Sequence, residues 1–230
     1  MRRPPIPAIP PPKRHPYNQW APDARALDLV GDKWTLLIVR DLAGGPRRFV
    51  ELQRVLPGIS TEQLRSRLNR MVADGLLTRQ RYREVPPRVD YELTERARDL
   101  LPVVGALARW GHRWAWGPPR PGEAVDIGAV FRCASGLAAP ARLRGTVELH
   151  INDGAVAGTH VLQLYRGDVI YAERAAPEAD ARISGPERAW VEALGLDASR
   201  TELEVTGDLA LADSLLDYLS SVAVPESAVA

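Results

Sequence analysis

The chain has 230 residues, 45% of them hydrophobic, a formal net charge of +1 and one cysteine, Cys133. That length supports two modest domains with their own cores, the single cysteine excludes an intramolecular disulfide, and no run of about 18 apolar residues is present to cross a membrane. The near-zero total conceals a division, because residues 1–120 carry 22 Lys and Arg against 12 Asp and Glu, whereas residues 121–230 carry 8 against 17. Asymmetry of this kind points to a polyanionic partner for the first half alone. Only Lys13 and Lys33 among the basic residues are lysine, a bias assigned first to a GC-rich genome. The start lacks the apolar core of a signal peptide, so a cytoplasmic protein is expected.

In chain order, residues 1–16 are proline-rich and predicted to be a disordered tail, and Pro22 opens a helix that stops at Gly31. Asp32 is placed to cap a helix over 33–42, with Trp34, Leu37 and Ile38 on one face. Gly44, Gly45 and Pro46 break it, a short helix follows over 49–56, and Pro57-Gly58 forces a turn. Ser60 then caps a helix over 61–74, in which Leu64, Leu68 and Met71 recur at i, i+4 and i+7. Residues 76–83 read as a strand, 84–88 as a loop, and 89–93 as a return strand. A long helix from Thr94 to about Trp116 has a broad apolar face at Leu100, Leu101, Val104, Leu107, Ala108 and Trp110. A Pro/Gly linker occupies 117–124. In the second half, 146–151 alternates as a strand does, 161–165 and 169–173 flank Arg166-Gly167-Asp168 as a hairpin, and Gly185-Pro186 opens a short helix. Residues 202–205 form another strand, and Gly207-Asp208 caps a final helix bearing Leu211, Leu215, Leu216 and Leu219. Residues 224–230 are a tail.

Two helices joined by a Pro-Gly turn, the second with a polar outer face, match the construction of a helix-turn-helix. Opposite the Leu64–Leu68 stripe lie Glu62, Gln63, Ser66, Asn69 and Arg70. Gln63 and Asn69 have the groups to bond adenine, and Arg65 or Arg70 to fork guanine. Ser60 and Thr61, at the amide-rich helix start, suit a phosphate. On the following hairpin Arg79, Arg81 and Arg83 share one side of a strand, with Arg88 across the turn, so the ribbon forms a wing able to grip phosphates or the minor groove. Arg47 and Arg48 precede the short helix and face the same partner.

At this point the sequence resembles the HxlR-type, MarR-like winged-helix regulators. Trp20-Ala21-Pro22, Gly31 through Ile38, Gly45-Pro46-Arg47-Arg48-Phe49, Leu56-Pro57-Gly58-Ile59-Ser60, Leu64-Arg65-Ser66-Arg67-Leu68, Asp74-Gly75-Leu76-Leu77 and Val85 through Thr94 carry the resemblance in order. It implies a homodimer on a pseudo-palindromic operator in double-stranded DNA, paired through the first and last helices of a domain over 17–116. Many such regulators sense oxidants through a cysteine just before the proline near the first helix. Here that position is Ala21, so the thiol mechanism does not carry over. Residues 125–223 resemble sterol-carrier-protein-like domains on Ala179 through Gly185, Leu194-Gly195 and Glu204 through Ala212. The resemblance implies a pocket for a hydrophobic small-molecule effector, with Val147, Leu149, Val161, Trp190, Leu194, Leu211, Leu215 and Tyr218 as lining candidates; the alternative use of these residues is plain core.

The expected fold class is therefore α+β, an N-terminal winged helix-turn-helix joined to a C-terminal α+β sterol-carrier-like domain. The expected function is sequence-specific transcriptional regulation. A lipid-carrier or interaction protein whose winged helix serves only dimerisation is the alternative. No enzyme, cofactor, metal or membrane is expected: His15, His112, His150 and His160 lack metal-ligand spacing, no phosphate loop or nucleophile elbow occurs, and Cys133 reads as a small buried hydrophobe.

Overall fold

The two halves that differ in charge fold around separate apolar cores. A computed structural model describes residues 16–83, 88–154, 156–195 and 198–221. Most of the proline-rich tail, the tip of the wing at 84–87 and the end of the chain after 221 lie outside the described residues.

In the first half, α1 spans Pro22–Val30 and α2 spans Thr35–Asp41. The Asp32 carboxylate accepts from the N–H groups of Trp34 (2.9 Å) and Thr35 (3.1 Å). The predicted cap is thus present, but it closes a turn at 33–34 and the helix begins two residues later than expected. β1 (Arg47–Arg48) leads directly into α3 (Phe49–Val55), and α4 spans Thr61–Ala73. β2 (Leu77–Tyr82) and β3 (Arg88–Leu93) form the wing, in a three-stranded antiparallel sheet ordered β1-β3-β2. Leu64, Leu68 and Met71 are at most 1% exposed and bind α4 to a core shared with Ile38, Leu42 and Leu52.

The long helix predicted over 94–116 is two helices, α5 (Glu95–Arg98) and α6 (Leu101–Trp114). Pro102 accounts for the break: it has no N–H to give, and its ring would meet the carbonyl four residues back, at Arg98. The predicted apolar face also divides in two. Val104 and Gly105 are buried, whereas Val103, Leu107, Trp110 and Trp114 are about half or more exposed, at 49%, 53%, 59% and 66%.

In the second half, α7 (Ile127–Ala134) is a helix that the sequence pattern did not yield; Asp126 caps it by accepting from the Ala129 N–H at 3.0 Å. Strands β4 (Gly145–Ile151), β5 (Gly158–Tyr165), β6 (Asp168–Ala172), β7 (Ala181–Gly185) and β8 (Glu204–Gly207) form a sheet ordered β6-β5-β4-β7-β8, with only β4 and β7 parallel. α8 (Glu187–Ala193) and α9 (Leu209–Ser221) join α7 over this sheet. Trp190 is fully buried, its indole donating to the His150 carbonyl at 3.1 Å and its ring meeting Phe131 edge-on at 5.1 Å. The chain is mixed α+β with a winged-helix half, and among the described residues no helix is long and apolar enough to cross a membrane.

The halves are packed against each other. α7 contacts both α2 and α6. Gly105 of α6 crosses Gly136, just beyond α7, so closely that a Cβ on either would strike the other segment's backbone. A Cβ on Gly44 would run into the Tyr171 ring. The Trp116 indole, just before the linker, donates to the Leu194 carbonyl of the second half at 3.2 Å.

Candidate nucleic-acid interface

The second helix of the helix-turn-helix is held from both ends. Ser60 and Gln63 cap α4 reciprocally, Gln63 N–H donating to Ser60 Oγ at 3.2 Å and Ser60 N–H to Gln63 Oε1 at 3.1 Å. Gln53 Nε2 donates to Thr61 Oγ1 at 2.8 Å across the turn, leaving the Thr61 hydroxyl proton free to donate. Arg67 Nη1 lies 3.0 Å from Asp32, so the carboxylate that caps α2 also pins α4. Ser60, Thr61, Glu62, Gln63, Arg65, Ser66 and Asn69 are exposed, with Glu62, Gln63, Ser66 and Asn69 opposite the buried Leu64–Leu68 stripe, and Arg67 beside them is half-buried.

Beside this helix the wing presents Arg79 and Arg81, paired across the ladder with Tyr91 and Val89. Arg65, Asn69, Arg79 and Arg81 border one concave groove of about 330 Å³, floored by Phe49, Val89 and Tyr91. Arg79 donates to Asn69 Oδ1 at 3.4 Å, a long bond joining wing to helix, and leaves the Asn69 amide N–H groups unspent. Arg65 meets Glu62 at 2.7 Å, but both side chains are more than half exposed, at 58% and 78%, so the pair is weakly held. Arg48 and Arg83 are exposed nearby in sequence.

Besides Arg65, three more of the sequence-predicted arginines are engaged with carboxylates of their own chain. Arg70 bonds Asp74 at 2.9 Å, and Asp74 is 4% exposed. Arg88 bonds Asp90 at 2.6 Å, and these hydrogen bonds hold the Asp90 carboxyl below the usual carboxylate range despite its burial. Arg47 turns away from the groove and pairs with Glu173 of the second half. The groove floor was not legible in the sequence because Phe49 and Val89 read as ordinary apolar positions, and Tyr91 as part of an alternating strand. The pairing register of β2 and β3 sets Tyr91 and Val89 beside Arg79 and Arg81, and Phe49 joins them from the start of α3.

Of the candidate effector-lining residues, Val147, Leu149, Trp190, Leu194, Leu211, Leu215 and Tyr218 lie together in the core of the second half, each at most 7% exposed. Val161 does not join them. It sits opposite Glu148 in the ladder, while its neighbour Leu162 pairs with Val147 on the core face. The two-residue period of a strand therefore sends Val161 to the other side of the sheet, which corrects the expectation that grouped it with Val147 and Leu149.

Comparison with known proteins assigns residues 29–117 to the HxlR-like helix-turn-helix family. An uncharacterized HTH-type transcriptional regulator of Synechocystis is 41% identical over 93 residues, covering 40% of this chain and 69% of that protein. The uncharacterized HTH-type transcriptional regulator YybR of Bacillus subtilis is 36% identical over 97 residues, covering 42% of this chain and 78% of YybR. Among solved structures, the redox regulator HypR in its oxidized form is 37% identical over 40% of this chain and 94% of that one, with a TM-score of 0.39. The aligned part is the half that builds the capped α4 and its basic wing, and through it the chain belongs to the HxlR-like helix-turn-helix family of transcriptional regulators.

Proposed function

We propose that the protein is a sequence-specific, duplex-DNA-binding transcriptional regulator that acts as a homodimer. The observation that carries this reading is the basic groove in which Arg65 and Asn69 of α4 face Arg79 and Arg81 of the wing. A helix entering the major groove places Gln63, Ser66 and Asn69 at base edges while the wing arginines grip the adjacent backbone. Arg48, Arg83 and the Thr61 hydroxyl extend the phosphate contacts. Pairing of two copies covers the exposed stripe at Val103, Leu107, Trp110 and Trp114, joined by Leu27 of α1, which is 44% exposed. Four large apolar side chains exposed on one helix are more than a solvated surface needs, and their burial is the natural drive for dimerisation.

We read residues 125–223 as a sterol-carrier-like module through which an effector biases DNA binding. The support is the sequence resemblance and the close packing of α7 against α2 and α6. An apolar effector among Val147, Leu149 and Trp190 has to open a core in which these side chains are fully buried. The test of DNA recognition is selection of bound fragments from sheared genomic DNA at physiological salt, followed by footprinting. The expected result is an enriched pseudo-palindrome with half-site centres about 10 base pairs, or a multiple of that, apart. Recovery of fragments no different from the input would overturn the reading.

A further inference from the structure

A second crevice, of about 170 Å³, opens where the winged helix meets the second half. Its walls come from both sides: Arg47 and Arg54 from the helix-turn-helix, and Asp126, Arg132, His160 and Glu173 from the other. Arg132 is 2% exposed and stands at the centre of a closed charge cluster. It reaches Asp41 at 3.2 Å, Asp126 at 2.5 Å and Glu173 at 2.9 Å. Glu173 Oε1 also accepts from the Tyr171 hydroxyl at 2.7 Å and from Arg47. With Arg40 on Asp41, the acids Asp41, Asp126 and Glu173 are matched by Arg40, Arg47 and Arg132, and the cluster needs no outside ion.

Two lining groups are left over. Arg54 lines the crevice and, among the described residues, has no carboxylate within ion-pair distance. His160 is 5% exposed, and its Nε2 is buried without a hydrogen-bond partner. The bonding around the ring fixes what that nitrogen is. Tyr171 spends its proton on Glu173, so at the 2.7 Å contact with His160 Nδ1 the hydroxyl accepts and Nδ1 carries the hydrogen. Nε2 is then a bare acceptor, in keeping with burial pushing the His160 pKa down to about 4. A Cβ built on Gly158, another lining residue, would meet nothing within 4 Å except His160 Nε2 at 3.9 Å.

A free guanidinium and a free acceptor in one small polar crevice ask for a ligand with an anionic end and a hydroxyl donor. We propose that this crevice binds a small carboxylate that also carries a hydroxyl group, its carboxylate on Arg54 and its hydroxyl donating to His160 Nε2. The volume holds roughly five water molecules or a ligand of a few heavy atoms, which fits hydroxy acids of three or four carbons. The bound carboxylate also competes with Glu173 for Arg47, which stands in β1 directly before α3. That consequence rests on the DNA-binding reading, whereas the binding itself does not.

The test is calorimetric titration of the full chain with lactate, glycerate and malate, and with propionate and succinate as acids lacking the hydroxyl. At least one hydroxy acid is expected to bind saturably, one per protomer, with its matched plain acid about tenfold weaker or worse, as loss of one hydrogen bond to a buried acceptor implies. Arg54→Ala and Gly158→Ala, the latter adding a methyl beside Nε2, should each weaken binding by about tenfold or more and leave the melting temperature of the free protein unchanged. No saturable binding by any of the hydroxy acids overturns the proposal. So does binding that ignores the hydroxyl or is untouched by both variants. The titration contains no DNA, so its failure leaves the regulator reading standing, and failure to bind DNA leaves the titration unaffected.

Discussion

Arg132 and His160 show how charge is handled at the junction between the halves. Burial alone would push the Arg132 pKa down, but the charges of Asp41, Asp126 and Glu173 more than offset it and hold the guanidinium protonated. The partners depend on the arginine in turn, since Asp41 is 0% exposed and has no water to fall back on. Arg132→Met should therefore destabilise the protein by about 3 kcal/mol or more, because it strands buried carboxylates; urea unfolding at pH 7 measures it. His160 gives a pH dependence of definite sign. Its folded pKa is pushed down from 6.5 to about 4, so as pH falls through that window the unfolded chain takes up a proton that the folded chain refuses. Stability is accordingly complete above pH 6.5 and is lost as pH falls towards 4, by at most about 3 kcal/mol for this group. Glu173, held below the usual range against burial by Arg47, the Tyr171 hydroxyl and Arg132, loses its contribution in the same direction at lower pH. Unfolding free energies at pH 7 and pH 4.5 should show the fall, and the His160→Gln variant should flatten it; an unchanged slope in that variant would contradict the assignment.

At the scale of elements, legibility followed local signals. The α4 helix was plain in the sequence because its cap, its i, i+4, i+7 stripe and its terminating Gly75 all agree. Ser60→Ala should cost about 1 kcal/mol in thermal unfolding for loss of that cap. The wing strands were legible from their alternation. What escaped was whatever depends on partners distant in the chain. The helix α7 carries apolar residues nearly all round, because it is wedged between α2, α6 and the sheet, and so its period is hard to read. β7 runs parallel to β4 over five residues, which leaves no hairpin signature. The site divided in the same way. Arg65, Asn69, Arg79 and Arg81 were found as basic and amide residues on two elements, whereas the turning of Arg47 to Glu173 is a contact across 126 positions of sequence that no local pattern encodes. The Gly105–Gly136 crossing is likewise invisible locally. Gly105→Ala should lower the stability of the joined molecule by about 1 to 3 kcal/mol, because the added methyl meets a backbone carbonyl that cannot swing aside.

For the whole molecule, the basic and acidic halves of the sequence do not simply mask one another. The acidic half reaches across to the basic half at Arg47 and through the Arg132–Asp41 pair, and the groove bordered by Arg65, Arg79 and Arg81 is left concave and open. Two further surfaces stand beside this division: an exposed apolar stripe on α6, proposed above to meet a second copy, and a polar crevice at the junction. Trp110→Glu should shift the molecule from dimer to monomer in analytical ultracentrifugation and weaken operator binding with it. The proposed regulation depends on the groove meeting a double helix. The most direct test is the dependence of duplex affinity on salt, compared between the native chain and the Arg65→Ala, Arg79→Ala, Arg81→Ala triple variant. Each phosphate contact removed reduces the slope of log affinity against log salt by about 0.9, so the triple variant of a dimer should lose up to about 5 from a steep native slope. A native slope near zero, or a slope and affinity that the three substitutions leave unchanged, would contradict it.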